Sequence, residues 1–378
     1  CGSITPTSLR PPPGCAEIAQ VAADPGDHLQ LGGSRGPETG NGSSVGEVTP
    51  AESNRRPMAA VIANPMKADI EALKVAVEIV EAAAGWAPTL WLETTADDAG
   101  QAAVGTALRR GASVVAAAGG DGTVRAVAEG LRGSNVPLAL LPSGTGNLLA
   151  RNLEVPLTSL DEAVAIIFGE HERTMDLGVV EIRRAEDGDV SEHVFLVVAG
   201  IGIDAKMIKI TNAELKKAVG WLAYVDGIAR SIPELKPVHL TYSIDGGPRR
   251  STSAHSVLVG NCGLLPGGIL LMPEAKIDAG VLDIAALRPR GPFGWLKVWN
   301  TLAFENGVLR RSDLGQQIIE LGSKNVRDVV YRTGRRLTLD VAHPEEFQLD
   351  GDEFGEITGI RAWVEPGGLR VKVPAPPE

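Results

Sequence analysis

From residue 58 onward, short apolar runs alternate with segments of helical periodicity, and this alternation constrains the fold of the 378-residue chain more than any other feature. In the helical segments the apolar residues recur every three or four positions. The predicted elements alternate strand and helix, beginning with a strand: Ala59–Met66, Ala68–Ala84, Thr89–Thr95, Asp97–Arg110, Ser113–Ala118, Thr123–Leu131 and Val136–Leu141. This pattern indicates a parallel sheet covered on both faces, in which ligands bind beyond the carboxyl ends of the strands.

From about Met175 the pattern changes to short strand-like segments separated by turn residues, which predicts an antiparallel sandwich. The predicted strands are Met175–Ile182, Val194–Ala199, Val238–Ile244, Ser256–Val259, Val281–Leu287, Arg335–Val341, Glu346–Leu349, Gly359–Val364 and Leu369–Val373. Two helices, Ala205–Ile232 and Pro292–Arg311, interrupt them. The predicted fold class is α/β plus all-β: a Rossmann-like parallel α/β nucleotide domain over residues 58–174, then an antiparallel β-sandwich domain over residues 175–378.

Two glycine-rich loops lie between a predicted strand and a predicted helix. The first, Gly119–Thr123, places paired glycines at a helix start, where close backbone approach and free N–H groups favour a phosphate. Asp121 would repel a phosphate directly, so its predicted role is to hold Mg²⁺. Thr123 can cap the helix, and its hydroxyl can donate a hydrogen bond to a phosphate. The second loop is Leu141–Asn147. Either loop alone could be an ordinary tight turn, but the pair favours a nucleotide site.

A third glycine motif, Gly200–Ala205, fits the pattern GxGxxA of dinucleotide-binding units. A dinucleotide-dependent oxidoreductase is therefore an alternative hypothesis. The following segment argues against it, because short alternating strands and a hairpin turn at Asp245–Gly247 follow instead of a second parallel strand. A tight turn is the favoured interpretation.

Charge and cysteine content exclude several classes. The chain has 36 basic and 47 acidic residues, a net charge of −11, which argues against nucleic-acid binding. No apolar run reaches the roughly 18 residues of a membrane span. The three cysteines, Cys1, Cys15 and Cys262, cannot form a disulfide framework, so a cytoplasmic protein is predicted.

Taken in order, the motifs resemble those of the diacylglycerol kinase catalytic-domain family, especially its soluble bacterial lipid kinases, whose core is shared by sphingosine kinases and NAD kinases. The motifs that carry this resemblance are Asn64-Pro65, Gly119–Thr123, Leu141–Asn147, Gly200–Ala205, Pro266–Gly268 and Asp350–Asp352. The resemblance spans about Met58 to Val373. It implies a Mg²⁺-dependent transfer of the ATP γ-phosphoryl group to a lipid hydroxyl, with diacylglycerol as the expected acceptor and Asp352 as the catalytic base. An NAD kinase is an alternative.

The resemblance also implies which residues bind the nucleotide. They are Asn64, Thr94, Thr95, Gly119, Gly120, Asp121, Gly122, Thr123, Val124, Arg125, Gly144, Thr145, Gly146 and Asn147.

Three positions depart from the family's pattern. Asp352 stands where the catalytic base is usually glutamate, and a base that is one methylene shorter must be brought closer to the substrate. Glu353 is the fallback base, although in an extended segment it points to the opposite face. Arg125 replaces a common asparagine and could reach a phosphate or lie in solvent. An accessory magnesium site at Lys276, Asp278 and Val281 is in doubt, because alanine stands at 279 in place of the usual aspartate.

The lipid substrate that the resemblance implies would have to be reached at a membrane surface, and the predicted helix Pro292–Arg311 carries aromatic residues and a basic end. Packing of that stripe on the sandwich is the favoured alternative. The expectation is a cytoplasmic enzyme that meets the inner face of the membrane transiently, while no oligomeric state is predicted. A non-catalytic lipid-binding protein remains an alternative if Asp352 marks lost activity.

Residues 1–57 contain nine glycines and eight prolines and no aromatic residue, which predicts a disordered extension. Cys1 at the first position is compatible with a lipoprotein acylated there. The favoured interpretation is that Met58 is the true start and that the preceding residues are a disordered extension or a wrongly assigned one. The reason is that an enzyme outside the cytoplasm would find no ATP.

Overall fold

The computed structural model describes residues 56–95, 97–185, 188–202, 237–265, 269–270, 272–289 and 328–376. Several sequence predictions lie outside these residues: the extension up to residue 55, the helices Ala205–Ile232 and Pro292–Arg311, and the motif Pro266–Gly268. In the described part of the chain, no helix is long and apolar enough to cross a membrane.

The first half contains the predicted alternation of strands and helices. Its elements are β1 (Met58–Ala63), α1 (Ile70–Ala84), β2 (Ala87–Glu93), α2 (Gln101–Arg109), β3 (Val114–Gly119), α3 (Asp121–Leu131), β4 (Leu138–Pro142), α4 (Leu148–Asn152) and α5 (Leu160–Phe168). The strands pair in parallel in the order β4-β3-β1-β2. The predicted parallel sheet is therefore confirmed.

Both faces of this sheet are covered, as the apolar strands predict. Because side chains alternate across a strand, Val61 packs with α1 and α5 on one face, whereas Ile62 packs with α2 and α3 on the other. The strand β1 ends earlier than predicted because Asn64 begins a turn. Its Oδ1 accepts the Met66 N–H at 3.0 Å, and its carbonyl accepts the N–H groups of Lys67 and Ala68.

The second half is β-rich. Its strands are β5 (Glu172–Arg184), β6 (Val190–Phe195), β7 (Val198–Ile201), β8 (Val238–Ile244), β9 (Arg250–Ala254), β10 (Ser256–Gly260), β11 (Leu264–Leu265), β12 (Ile269–Leu270), β13 (Leu282–Leu287), β14 (Val329–Gly334), β15 (Arg336–Leu349) and β16 (Asp352–Lys372). Within this half the pairs are antiparallel, as predicted. The predicted strand Val194–Ala199 is divided between β6 and β7, whereas the last four predicted strands merge into β15 and β16.

The 21-residue strand β16 joins the two halves. It pairs antiparallel with β15 and β5, and at Val371 it pairs in parallel with Leu138 of β4. The main sheet thus runs β14-β13-β10-β7-β15-β16-β4-β3-β1-β2. This connection brings residues from the end of the sequence to the glycine loops of the first half.

Candidate functional site

The two glycine loops follow the neighbouring parallel strands β3 and β4 and lie directly against each other. A Cβ atom added to Gly144 would be 2.7 Å from the Cα of Gly120. Real Cβ atoms do not approach another backbone so closely, so glycine is required for the loops to meet. Both loops therefore lie at the carboxyl edge of the sheet, where ligands bind in folds of this class.

The second loop is held in shape by Asn147, which has a left-handed φ of 48°. Its Oδ1 accepts the Gly144 N–H at 3.1 Å, and its Nδ2 donates to the Gly144 carbonyl at 2.8 Å. Arg151 Nε donates to the Gly146 carbonyl at 2.8 Å. Thr145, at the tip, is exposed. The loop is thus preorganised, with its tip open to a ligand.

Asp121, the first residue of α3, links the two loops. Its Oδ1 accepts the Leu148 N–H at 2.6 Å, and its Oδ2 lies 2.5 Å from where a Cβ on Gly146 would be. Burial raises the pKa of Asp121, the N–H groups of Leu148 and Asn147 oppose that shift, and the nearby Asp352 carboxylate adds to it. The described residues contain no cluster of three or more His, Cys, Asp or Glu side chains that could hold a metal ion.

Asp352, the first residue of β16, is brought to the start of α3. Its Oδ2 lies 2.5 Å from where a Cβ on Gly122 would be, and it accepts a hydrogen bond from Arg125 Nη2 at 3.0 Å. The Asp352 side chain is 45% exposed, which leaves it accessible to a substrate. Glu353 is exposed, and the alternation along β16 directs it to the opposite face. The structure therefore places Asp352, not Glu353, beside Asp121 and the first glycine loop.

The sequence analysis named Asp350 within a motif but gave it no role; in the structure its buried carboxylate holds the turn before Asp352. It accepts the backbone N–H groups of residues 196, 197 and 198 at 2.8, 2.8 and 3.0 Å. Asp350 and Gly351 both have positive φ, 49° and 91°, as a two-residue hairpin turn requires. Burial raises the pKa of Asp350 to about 6, while the three backbone donors and the Arg125 charge oppose this shift. The motif Asp350–Asp352 did not reveal this anchor.

Three predicted nucleotide residues lie where β1 and β2 end. Asn64 uses its side chain within its own turn, as described above. The buried Thr94 donates its N–H to the Ala63 carbonyl at 2.9 Å, and Thr95 Oγ1 accepts the Asp98 N–H at 3.1 Å. The side chains of Asn64 and Thr95 therefore shape the loops at this edge of the sheet, whereas Thr94 contributes a backbone hydrogen bond.

The remaining residues of the first loop have different environments. Thr123 is buried, and its Oγ1 lies 2.6 Å from where a Cβ on Gly119 would be, while Val124 belongs to the core.

Lys67 was missed by the sequence analysis, although it closely follows β1. Its Nζ lies 2.9 Å from where a Cβ on Gly120 would be. A lysine at this edge of a parallel sheet adds a positive charge over the first loop.

The predicted accessory metal segment is a turn fixed by other contacts. Asp278 forms an ion pair with Arg173 at 3.2 Å, and the Lys276 carbonyl accepts the N–H of residue 279 at 3.2 Å. The buried Asp176 accepts the Gly280 N–H at 2.5 Å, just before Val281. A metal site at Lys276, Asp278 and Val281 stays a prediction.

The described part of Gly200–Ala205 forms the end of an antiparallel strand. The strand β7 pairs antiparallel with both β10 and β15, which is not the parallel βαβ arrangement of a dinucleotide-binding unit. Gly202 has a φ of 77°, and a Cβ there would be 2.5 Å from the His255 carbonyl oxygen. This geometry supports the tight-turn interpretation.

Comparison with known proteins identifies the family to which the chain belongs. Residues 58–180 match the family model described as "Diacylglycerol kinase catalytic domain", and residues 197–303 match the "YegS C-terminal NAD kinase beta sandwich-like domain". A Pseudomonas aeruginosa protein named "Probable lipid kinase YegS-like" is 31% identical over 276 residues, which cover 71% of this chain and 79% of that protein. The chain belongs to this lipid kinase family. The resemblance inferred from the motifs is confirmed.

Other members of the lipid kinase family show the same likeness. A Mycobacterium tuberculosis diacylglycerol kinase is 28% identical over 196 residues, which cover 52% of this chain and 62% of that protein. A solved Bacillus anthracis diacylglycerol kinase superposes with a TM-score of 0.55 at 20% identity, covering 85% of this chain and 98% of that one. At this identity the superposition shows the shared fold.

Proposed function

We propose that this lipid kinase transfers the γ-phosphoryl group of ATP to a lipid hydroxyl in a Mg²⁺-dependent reaction, with diacylglycerol as the expected acceptor. The observation that carries the proposal is the position of Asp352, whose carboxylate lies at the start of α3 beside the first glycine loop. A carboxylate there can accept a proton next to bound phosphate. The names of the relatives support a lipid as the acceptor.

The two abutting loops fit the phosphates of ATP. Glycine backbones at Gly120 and Gly144 leave no side chain between a phosphate and the N–H groups at the start of α3. The helix dipole favours negative charge there, and the Lys67 ammonium lies over the same loop. The nucleotide phosphates would therefore lie along the carboxyl edge of β3 and β4.

The residues present fit a Mg²⁺ ion that is held mainly by phosphates and water. Such an ion commonly uses only one or two protein carboxylates, so a three-residue cluster is not needed. Asp121 would hold it through Oδ2, since Oδ1 is occupied by the Leu148 N–H. When bound, Mg²⁺ supplies neutralisation of the charge on the phosphate oxygens.

Asp352 then has a defined part in the transfer. It takes the proton of the lipid hydroxyl as that oxygen forms a bond to the γ-phosphorus and the bond to the leaving ADP oxygen breaks. The half-exposed carboxylate returns the proton to solvent afterwards. The acceptor hydroxyl must reach this position from a membrane, so the enzyme meets the membrane surface transiently.

The test measures phosphate transfer from radiolabelled ATP to a panel of diacylglycerol, monoacylglycerol, ceramide and sphingosine in mixed micelles, with NAD⁺ as a further acceptor. Labelled phosphatidic acid is the expected product. Labelling of another lipid would change the acceptor but not the class of enzyme. Labelling of NAD⁺ alone, or no transfer at all, would overturn the proposal.

The same assay tests the role of Asp121. Asp121→Asn keeps an oxygen for the Leu148 N–H but removes the charge, so we expect the Mg²⁺ concentration needed for half-maximal turnover to rise by about tenfold or more and kcat to fall. An unchanged Mg²⁺ dependence would show that Asp121 does not hold the ion.

Replacement of Gly144 tests the nucleotide loops. Gly144→Ala places a methyl group 2.7 Å from the Gly120 Cα and must push the loops apart, so we expect ATP affinity to fall by about tenfold or more. Isothermal titration calorimetry with a non-hydrolysable ATP analogue measures this. Gly105→Ala is the matched control, because its new methyl group would meet only the flexible end of Arg109. Equal affinity in the two variants would contradict the assignment.

A further inference from the structure

The Arg125 side chain lies between α3 and β16, in contact with the residue proposed to accept the substrate proton. We infer that Arg125 is a positioning residue that holds the Asp352 carboxylate at the start of α3. This inference rests on the proposed function, in which Asp352 is the base. It gives Arg125 a role other than the nucleotide contact expected from the sequence.

The ion pair is asymmetric in a way that suits a fixed cation and an accessible base. Arg125 Nη2 lies 3.0 Å from Asp352 Oδ2, and the side chains of Arg125 and Asp352 are 11% and 45% exposed. A guanidinium that is mostly buried has little freedom to move, whereas the carboxylate keeps one side open to substrate. The geometry of the pair is therefore set by the arginine.

Packing fixes the guanidinium itself. Its central carbon lies 4.7 Å from the centroid of the Phe354 ring, a cation–π distance. Phe354 is two residues after Asp352, so both side chains lie on the same face of β16. The His193 ring meets Phe354 edge-on with centroids 5.0 Å apart. Arg125 is thus held by the same strand that carries the carboxylate.

Solvent exposure explains why a tether is needed. The Asp352 side chain is 45% exposed, so without a fixed partner it can turn away from α3 into solvent. The ion pair with Arg125 opposes that movement. Because an aspartate side chain is short, a small displacement takes it out of reach of the acceptor hydroxyl.

Arg125 has one further group to account for. Its Nε is buried and has no hydrogen-bond partner among the described residues. If that N–H served an ATP phosphate, removal of the guanidinium would weaken ATP binding. If Arg125 acts through Asp352, removal would slow turnover and leave ATP binding unchanged. The first role therefore predicts a raised KM for ATP, whereas the second predicts a lowered kcat with an unchanged KM.

The experiment compares Arg125→Met with Arg132→Met in the lipid-phosphorylation assay. Methionine keeps an apolar contact with Phe354 but removes the charge. We expect kcat to fall by about 10- to 100-fold with the KM for ATP within about twofold of wild type. Arg132 lies just beyond α3 and also pairs with a β16 carboxylate, Glu365, at 2.5 Å, and its second ion-pair partner is Glu192. Arg132→Met should lower Tm without lowering kcat.

A double-mutant cycle decides whether Arg125 acts through Asp352. In an Asp352→Asn background, Arg125→Met should lower kcat by less than about twofold, and Arg125→Lys in the wild-type background should restore part of the lost kcat. An equal loss in both backgrounds, or a raised KM with unchanged kcat, would overturn the inference. If the wild-type protein phosphorylates no lipid, the proposed function fails. In that case crystal structures of the wild-type protein and of the Arg125→Met variant test the inference. The Asp352 carboxylate must lie beside Gly122 in the wild type and move away from Gly122 in the variant.

Discussion

Asp352→Ala is expected to lower kcat by about 10²- to 10⁴-fold while the protein stays folded, because a positioned general base contributes about that much. The side chain begins β16 and is 45% exposed, so its removal leaves no large cavity. Turnover is measured with radiolabelled ATP and the lipid acceptor, and Tm reports folding. Near-wild-type turnover would remove Asp352 from the mechanism.

The matched control for this prediction is Glu353→Ala. Glu353 is the neighbouring carboxylate. It is exposed, and its side chain lies on the opposite face of β16 from that of Asp352. Its kcat should stay within about twofold of wild type. A larger loss in Glu353→Ala than in Asp352→Ala would reverse the assignment of the base.

The sequence was sufficient to predict the glycine loops because their chemistry is local. A buried strand, a glycine run and a helix start follow one another within a few residues at Gly119–Thr123, and the structure places them as that order predicts. The predicted ends of β1 and β2, Met66 and Thr95, lie three and two residues beyond the observed ends, Ala63 and Glu93. There, side chains accept backbone N–H groups in turns that apolar patterning does not show.

The full length of β16 could not be predicted, because it contains glycines of the kind that usually end a strand. Gly355 and Gly367 have positive φ, 73° and 64°, which is typical of turns. In the structure the pairing with β5 continues past Gly367 through a register shift between Glu365 and Leu369. Only the distant partner strand shows that the segment is continuous.

The contacts of Arg125 and Asp350 lie still further beyond local pattern. Arg125 meets Asp352 across 227 positions of sequence, and Asp350 meets the backbone of residues 196–198 across about 150. Composition and periodicity contain no information on such pairs. The proposed base, Asp352, could thus be named from its motif, while its contact with Arg125 and the contacts of Asp350 required the fold.

Asp350→Ala is expected to destabilise the protein by several kcal/mol and also to lower kcat. The substitution leaves three backbone N–H groups, at residues 196–198, without their acceptor, and each buried unsatisfied donor costs about 1–3 kcal/mol. The turn that Asp350 anchors leads directly into Asp352, so loosening of this turn should displace the proposed base. Urea unfolding gives the change in stability, and kcat measured well below the unfolding midpoint gives the effect on turnover.

Asp245→Ala separates this anchoring effect from the strain of the turn. Asp245 also has a positive φ, 51°, and its carboxylate accepts the N–H groups of Arg335 and Arg336 at 2.8 Å each, but it is exposed. Water can replace those hydrogen bonds, so we expect a loss of only about 1 kcal/mol and an unchanged kcat. Equal destabilisation in the two variants would mean that φ strain, and not the buried carboxylate, determines the cost. Wild-type kcat in a folded Asp350→Ala protein would show that the base keeps its position without this anchor.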